Sequence, residues 1–261
     1  MKLSFEKYHG TGNDFIIIDN RNSKYELSTE KIKFLCDRHF GIGADGLMLL
    51  ESSKNYDFEM KYFNSDGKLG TMCGNGGRCI AAFAKKNNIS GDNVNFIASD
   101  GSHFAEIISY NGKKYFVKLK LSNVNGYKTI GDDFLLDTGS PHYVIFVEDI
   151  ENIDVYALGA KIRYNKSISE NGVNVNFVEI SDKEIIVRTY ERGVEAETLS
   201  CGTGVTASSI AYYLKTRKSD NIKVKTKGGE LSVSFNFNNE QFEDIYLQGF
   251  AEFVFSGEID I

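Results

Sequence analysis

The chain predicts an α+β fold of two pseudo-symmetric halves, each a curved mixed β-sheet or barrel around a central helix. Three observations predict it. The sequence resembles itself at a spacing of 128 residues, the distance from Cys73 to Cys201. Each copy sets alternating strands on either side of one helix. Both helices are rich in Ala, Ser, Gly, Ile and Phe around their whole circumference, which suits enclosure by a curved sheet better than a surface position.

The first repeated element is TGNDFIIID (11–19), answered by TGSPHYVIFVED (138–149). Next comes FEMKYFNSDG (58–67), an alternating strand that runs into a polar turn, matched by EIIVRTYERG (184–193). Then each half reaches its cysteine, which opens CGNGGRCIAAFAKK in the first half and CGTGVTASSIAYYLK in the second. Thr198 and Ser200 are the residues suited to cap the second helix, and Val205 to Leu214 reads as helical. Cations follow both helices, Lys85 and Lys86 in one and Lys215, Arg217 and Lys218 in the other, complementing the negative dipole end. A strand and glycine turn come after, NVNFIASDG and NIKVKTKGG, with Gly101 and Gly229 each 28 residues past their cysteine. SNVNG (122–126) reads as the join. The expected halves are 1–122, completed by a C-terminal strand at 252–261, and 123–251.

Composition narrows the function. With 41% hydrophobic and 25% charged residues the chain is ordinary globular material. Its net charge of −6 and pI near 5.4 argue against nucleic-acid binding. No secretory leader and no apolar run of bilayer length is read, so a soluble protein is expected. Four cysteines, at 36, 73, 79 and 201, are too scattered for a disulfide framework and suit a reducing compartment. Cys73 and Cys79 have five residues between them, the wrong spacing for a zinc knuckle, so no metal is expected. Gly41, Gly43 and Gly46 in GIGADG match a dinucleotide fingerprint in letters only, because the polar CDRHF precedes them and the strand-like LMLLES follows.

A cysteine at a helix N-terminus meets backbone N–H groups and the positive end of the dipole, which favour the thiolate. Two such ends facing one another would present two thiols to one small anion. The N–H groups of Gly74, Asn75, Gly202 and Thr203 would take its carboxylate, leaving the α-carbon between two sulfurs. That is the arrangement for removing a proton from one face and returning one to the other. No pyridoxal-type lysine motif is evident, so stabilisation of the carbanion falls to oriented N–H dipoles. His142, pinned by the single proline Pro141, and Glu191, before the second cysteine, are the groups placed to set the protonation of the thiols.

HGTGNDFIIID, DRHFGIGADG, YFNSDG, MCGNGGRC, SPHYVIFVED, NGVNVNF, YERG and CGTGVTA occur in this order along the whole chain, and the chain thereby resembles the diaminopimelate epimerases. The resemblance implies cofactor-independent epimerisation of LL- to meso-diaminopimelate in lysine and peptidoglycan-precursor synthesis. It implies a small-molecule substrate, no nucleic-acid or membrane partner, a cytoplasmic location and a homodimer. It assigns Cys73 and Cys201 as the acid/base thiols and His142 and Glu191 as modulators of their pKa values. It puts Gly74, Asn75, Gly202 and Thr203 on the reacting carboxylate. Asn13, Asn64, Asn174, Glu191 and Arg192 match substrate-holding positions, with Asn64, Asn174 and Arg192 toward the distal carboxylate and Glu191 toward the distal ammonium.

Three departures stand out. Ser140 is found where many members carry Asn, Gly46 where some carry Gln, and VEAETLS before Cys201 is one residue longer than the commoner VGETLS. Rival readings are a proline-, hydroxyproline- or histidine-type racemase and, from another class, a thiol redox or metal-binding protein. Proline-type relatives generally have His where Asn75 stands, and phenazine-pathway isomerases share the fold without the cysteine pair.

Overall fold

A computed structural model describes residues 2–182 and 184–261. The chain forms two compact units, Met1–Leu119 with Gly249–Ile261, and Lys120–Gln248. In order, the first stretch supplies β1 (Lys2–Gly10), β2 (Asn13–Asp19), α1 (Thr29–Cys36), β3 (Gly46–Glu51), β4 (Phe58–Asn64), α2 (Gly74–Lys86), β5 (Asn93–Ala98), β6 (Gly101–Tyr110) and β7 (Lys114–Lys120). The second supplies β8 (Val124–Asn125), β9 (Lys128–Ile130), β10 (Asp133–Asp137), β11 (Pro141–Phe146), α3 (Val155–Arg163), β12 (Asn174–Ile180) and β13 (Ile185–Glu191). It continues through β14 (Ala196–Thr198), α4 (Gly202–Thr216), β15 (Asn221–Thr226), β16 (Gly229–Asn238) and β17 (Gln241–Asp260), whose last part returns to the first unit.

The first unit is a closed mixed barrel. β1 pairs antiparallel with β2, β2 parallel with β3, β3 antiparallel with β4, and β4 parallel with β5. β5, β6 and β7 follow antiparallel, and β17 closes the ring by pairing with both β7 and β1. Closure leaves no open edge for another chain to pair with. In the second unit the same alternation recurs: β11 parallel with β12, β12 antiparallel with β13, β13 parallel with β15, and β15 antiparallel with β16.

Each parallel pair needs a crossover, and the two crossovers of a unit use their helices differently. α1 and α3 are short and one-sided. In α1 only Ile32, Leu35 and Cys36 are buried, and in α3 only Val155 and Gly159. α2 and α4 are enclosed: every residue from Gly74 to Ala84 is buried, and so is every residue from Gly204 to Ala211. α4 packs against β10, β11, β12, β13, β15 and β16, whereas α3 packs mainly against β12, β13 and β14. With helices on both faces, the β3 run Gly46–Leu50 and the β12 run Asn174–Val178 are buried continuously rather than alternately.

The enclosed helix α4 is rich in Gly, Ala, Ser and Thr, small residues that let strands close round it, whereas α2 pairs Gly and Ala with the larger Arg78, Ile80 and Phe83. The hydroxyls of α4 bond back to the helix: Thr206 to the Gly202 carbonyl at 2.9 Å, Ser208 to Gly204 at 2.8 Å and Ser209 to Val205 at 2.9 Å. No helix among the described residues is long and apolar enough to cross a membrane.

Ile210, fully buried in the second unit's core, should cost about 2–5 kcal/mol when cut to Ala. Leu158→Ala, on the exposed side of α3, should stay within about 0.5 kcal/mol. Urea unfolding curves of the two variants check this, and equal losses would mean that α4 is not enclosed.

Candidate active site

In the first unit Cys73 is itself the N-cap of α2, its backbone extended and its sulfur accepting the Gly76 N–H at 3.2 Å. A Cβ on Gly76 would crowd Met48 Cε at 3.1 Å and that sulfur at 3.2 Å. Asn75, almost fully buried, is gripped on both sides of its amide. Its Oδ1 accepts from Arg78 Nη2 at 2.9 Å and from the Thr11 hydroxyl at 3.3 Å, so its Nδ2 donates to Asn13 Oδ1 at 3.3 Å. Asn13 in turn donates to Asp45 Oδ2 at 2.7 Å, and Arg38 holds Asp45 from the other side. The expected substrate contacts Asn13 and Asn75 thus form one rigid chain. Asn64 sits exposed at the end of β4, opposite Gly46 in the β3–β4 register.

The second unit uses the same backbone with different side chains. Cys201 is the N-cap of α4, which corrects the expectation of a Thr198 or Ser200 cap: Thr198 belongs to β14. Hydroxyl residues are the stronger caps in general, but a reacting sulfur must sit where the first-turn N–H groups point, and that is the cap position. Thr203 Oγ1 lies 3.4 Å from Cys201 Sγ and 2.9 Å from His142 Nε2. His142 is fully buried, and its Nδ1 faces Asn176 Nδ2 at 3.0 Å.

Hydrogen-bond chemistry fixes the direction of this relay. Asn176 Nδ2 also donates to the Tyr143 carbonyl at 3.3 Å, which orients the amide, while its Oδ1 accepts from Thr189 at 2.9 Å. His142 Nδ1 is therefore an acceptor, and its proton is on Nε2, given to Thr203 Oγ1. The Thr203 hydroxyl is left to donate to Cys201 Sγ. Burial pulls the His142 pKa down to about 3, partly offset by the Asn176 hydrogen bond, so the ring is neutral throughout the physiological range. Gly204 is required here, since a Cβ would fall 2.4 Å from Asn176 Oδ1.

Asn174 donates to Ser140 Oγ at 2.9 Å, lies 3.4 Å from His142 Nε2, and accepts the Arg192 backbone N–H at 2.8 Å. The structure thus gathers Ser140, His142, Asn174, Arg192, Cys201 and Thr203 at the ends of β11, β12 and β13 and the start of α4. Glu191 ends β13, paired across the ladder with Ala196. The extra residue of VEAETLS is absorbed in a tight hairpin. Glu195 takes the left-handed conformation (φ 58°), its N–H bonds the Glu191 carbonyl at 2.8 Å, and its carboxylate holds Arg163 and the Gly193 N–H.

Gly46 and Ser140 each have a local setting. At Gly46 a side chain would strike the Tyr62 ring at 2.5 Å, so none can extend from there. Ser140 serves as the acceptor that orients Asn174. GIGADG binds no helix end: Gly46 opens β3, as its context predicts, and Gly41 and Gly43 turn the chain after α1. Sequence reasoning passed over Asn176, Thr189, Thr11 and Arg78, although Asn176 lies within NGVNVNF and Arg78 within CGNGGRC.

A pair of like halves, one a closed mixed barrel, each holding a buried helix capped by cysteine, fits an amino-acid racemase or epimerase among the isomerases. Solved structures share the fold at low identity. A PhzF-family phenazine biosynthesis protein from Bacillus anthracis superposes with a TM-score of 0.78 at 15% identity over the whole of both chains. A probable proline racemase from Agrobacterium radiobacter gives 0.72 at 14% identity, over 99% of this chain and 93% of that one. Sequence is more specific: the diaminopimelate epimerase family model matches residues 5–123 and 134–254, and the chain belongs to that family. It is 50% identical to the diaminopimelate epimerase of Flavobacterium psychrophilum, over 98% of this chain and all of the relative. Against that of Chlorobaculum tepidum it is 42% identical, over 97% and 99%.

Neutral, buried His142 gives stability a definite pH dependence. Between about pH 6.5 and 3 the unfolded imidazole binds a proton that the folded one does not, so stability falls as pH falls through that window. Relative to His142→Gln, the natural chain should lose up to about 1.4 kcal/mol per pH unit below 6.5. Denaturant midpoints of both at pH 7, 6 and 5 check it, and parallel curves would mean a protonated or exposed ring.

Proposed function

We propose that this chain interconverts LL- and meso-2,6-diaminopimelate by a cofactor-independent two-thiol mechanism. The observation that carries the reading is the duplicated cysteine N-cap in a member of this family. One sulfur, as thiolate, takes the α-proton and becomes a thiol; the other, as thiol, gives a proton to the opposite face and becomes a thiolate. The reverse reaction exchanges the roles.

The reading has support from each cradle. N–H groups at the first two positions of a helix have no acceptor within the helix, so those of Gly74, Asn75, Gly202 and Thr203 are suited to the carboxylate whose charge grows as the α-proton leaves. At Cys201 the His142–Thr203 relay supplies a hydroxyl proton to an ionised sulfur. Arg192 can offer the distal carboxylate two parallel bonds, with Asn174 and Asn64 as further donors, and Asn13 is a further substrate-holding position. Glu191 suits the distal ammonium and, with His142, the tuning of the thiols. The product would feed lysine and peptidoglycan-precursor synthesis. Cytoplasmic location and a homodimer are supported by family resemblance alone.

The test is incubation with LL-diaminopimelate in D2O. Deuterium should enter the α-carbon as the meso isomer appears, and absence of exchange, or equal exchange into proline, would refute the reading. Cys73→Ala and Cys201→Ala should each lower turnover by at least about 10²–10⁴-fold. Near-normal turnover in either would contradict the two-thiol mechanism. Arg192→Ala should lower kcat/KM by roughly 10–150-fold, the worth of a charge-assisted bond.

A further inference from the structure

Arg78 is fully buried, the largest side chain sealed in the protein. Arg21, Arg38, Arg163 and Arg188 each meet a carboxylate. Among the described residues Arg78 meets none. Its Nη1 donates to the Gly74 carbonyl at 3.0 Å, its Nη2 to Asn75 Oδ1 at 2.9 Å and to Thr11 Oγ1 at 3.4 Å, and its buried Nε has no partner. It sits in the second turn of α2, near the positive end of the helix dipole, where a cation is disfavoured twice, by burial and by the dipole. Room is made for it: a Cβ on Gly10 would lie 3.2 Å from Nη2. A cation kept at such a cost calls for an anion, and of the two that this helix end would carry when the enzyme works, substrate carboxylate and Cys73 sulfur, the sulfur is the one that belongs to the protein.

We infer that Arg78 is the resident counter-cation of the Cys73 thiolate, a positioning residue that holds the first turn of α2 in shape and favours the ionised sulfur. The inference rests on the reading of Cys73 as a reacting thiol. Burial draws the Arg78 pKa down to about 10, with Cys79 and Cys73 pulling it back, so the charge persists at neutral pH. Other titratable groups around this helix are committed elsewhere. Asp14 of β2 is raised by burial but carried down to about 2 by Arg38 and Lys7. His9 of β1 accepts the Gly12 N–H and lies 4.0 Å from Glu252. Asp100, before β6, accepts the Met72 N–H and pairs with His103. Burial pushes the Cys79 thiol far up, so it stays neutral. Glu6 and Lys86 pair at the far end of the helix.

The test titrates Cys73 with iodoacetamide across pH, read site by site by peptide mass spectrometry, with circular dichroism as the check on folding. Arg78→Met should raise the alkylation midpoint by at least about one unit, about tenfold slower reaction below both midpoints, and Arg78→Lys should restore most of it. An unchanged midpoint in Arg78→Met would overturn the inference. Thr11 provides a second lever, because its φ of 48° suits Asp and Asn. Thr11→Asp would set a carboxylate against the guanidinium and should also raise the midpoint, while Thr11→Asn should leave it. Should Arg78→Met not fold, equal midpoints for the two Thr11 variants would overturn the inference. No substrate enters this assay, so failure of the diaminopimelate reading and failure of the Arg78 role are told apart.

Discussion

An α-helix shut inside β-sheet cannot hand its first-turn N–H groups to bulk water, and the chemistry proposed here depends on that constraint. Four donors at each helix start have no intrahelical acceptor. In α2 the cap sulfur takes one of them, the Gly76 N–H, and the Cys73 carbonyl accepts the Gly77 N–H as the first ordinary bond of the helix. The remaining donors are oriented by a scaffold that cannot relax, which is what preorganised stabilisation of a developing anion requires. Burial of α2 from Gly74 to Ala84 and of α4 from Gly204 to Ala211 is thus also what keeps each N-terminus fixed.

The two halves share backbone and differ in what they set around the sulfur. Phe15 lies opposite Gly46 and His142 opposite Asn174 in matching parallel pairs, and Gly46 in turn lies opposite Asn64. Asn13, Gly46 and Asn64 of the first half therefore correspond to Ser140, Asn174 and the end of β13 at Glu191 in the second. Duplication placed site residues at the same strand ends, and divergence then gave one sulfur a buried guanidinium and the other a neutral imidazole acting through a threonine. Unequal surroundings suit a pair of groups that must differ by one proton.

What repeats is what could be read from the sequence. The period revealed the strands, the glycine turns and the two cysteine-led helices, because each copy vouches for the other. What differs between copies gains nothing from the same comparison: Arg78 aligns with Thr206 and was passed over, whereas His142, aligned with Phe15, was legible only through the single proline beside it and the family resemblance. Asn176 reads as one of two asparagines alternating with valine in β12, and its bond to His142 depends on a parallel register fixed by tertiary packing. α1 and α3 are too short, with too few buried residues, to announce themselves by periodicity. The cap of α4 was misplaced because propensity favours hydroxyls, whereas the site requires a sulfur.

Native-state hydrogen exchange tests the enclosure most directly. Amides of Ile80–Ala84 in α2 and Ala207–Ala211 in α4 should exchange only through global unfolding, with the same free energy as the denaturant transition, while α1 and α3 open at lower cost. Local opening of α2 or α4 at or below the energy of the outer helices would contradict the account, because a helix that opens by itself cannot hold its N–H groups preorganised for an anion.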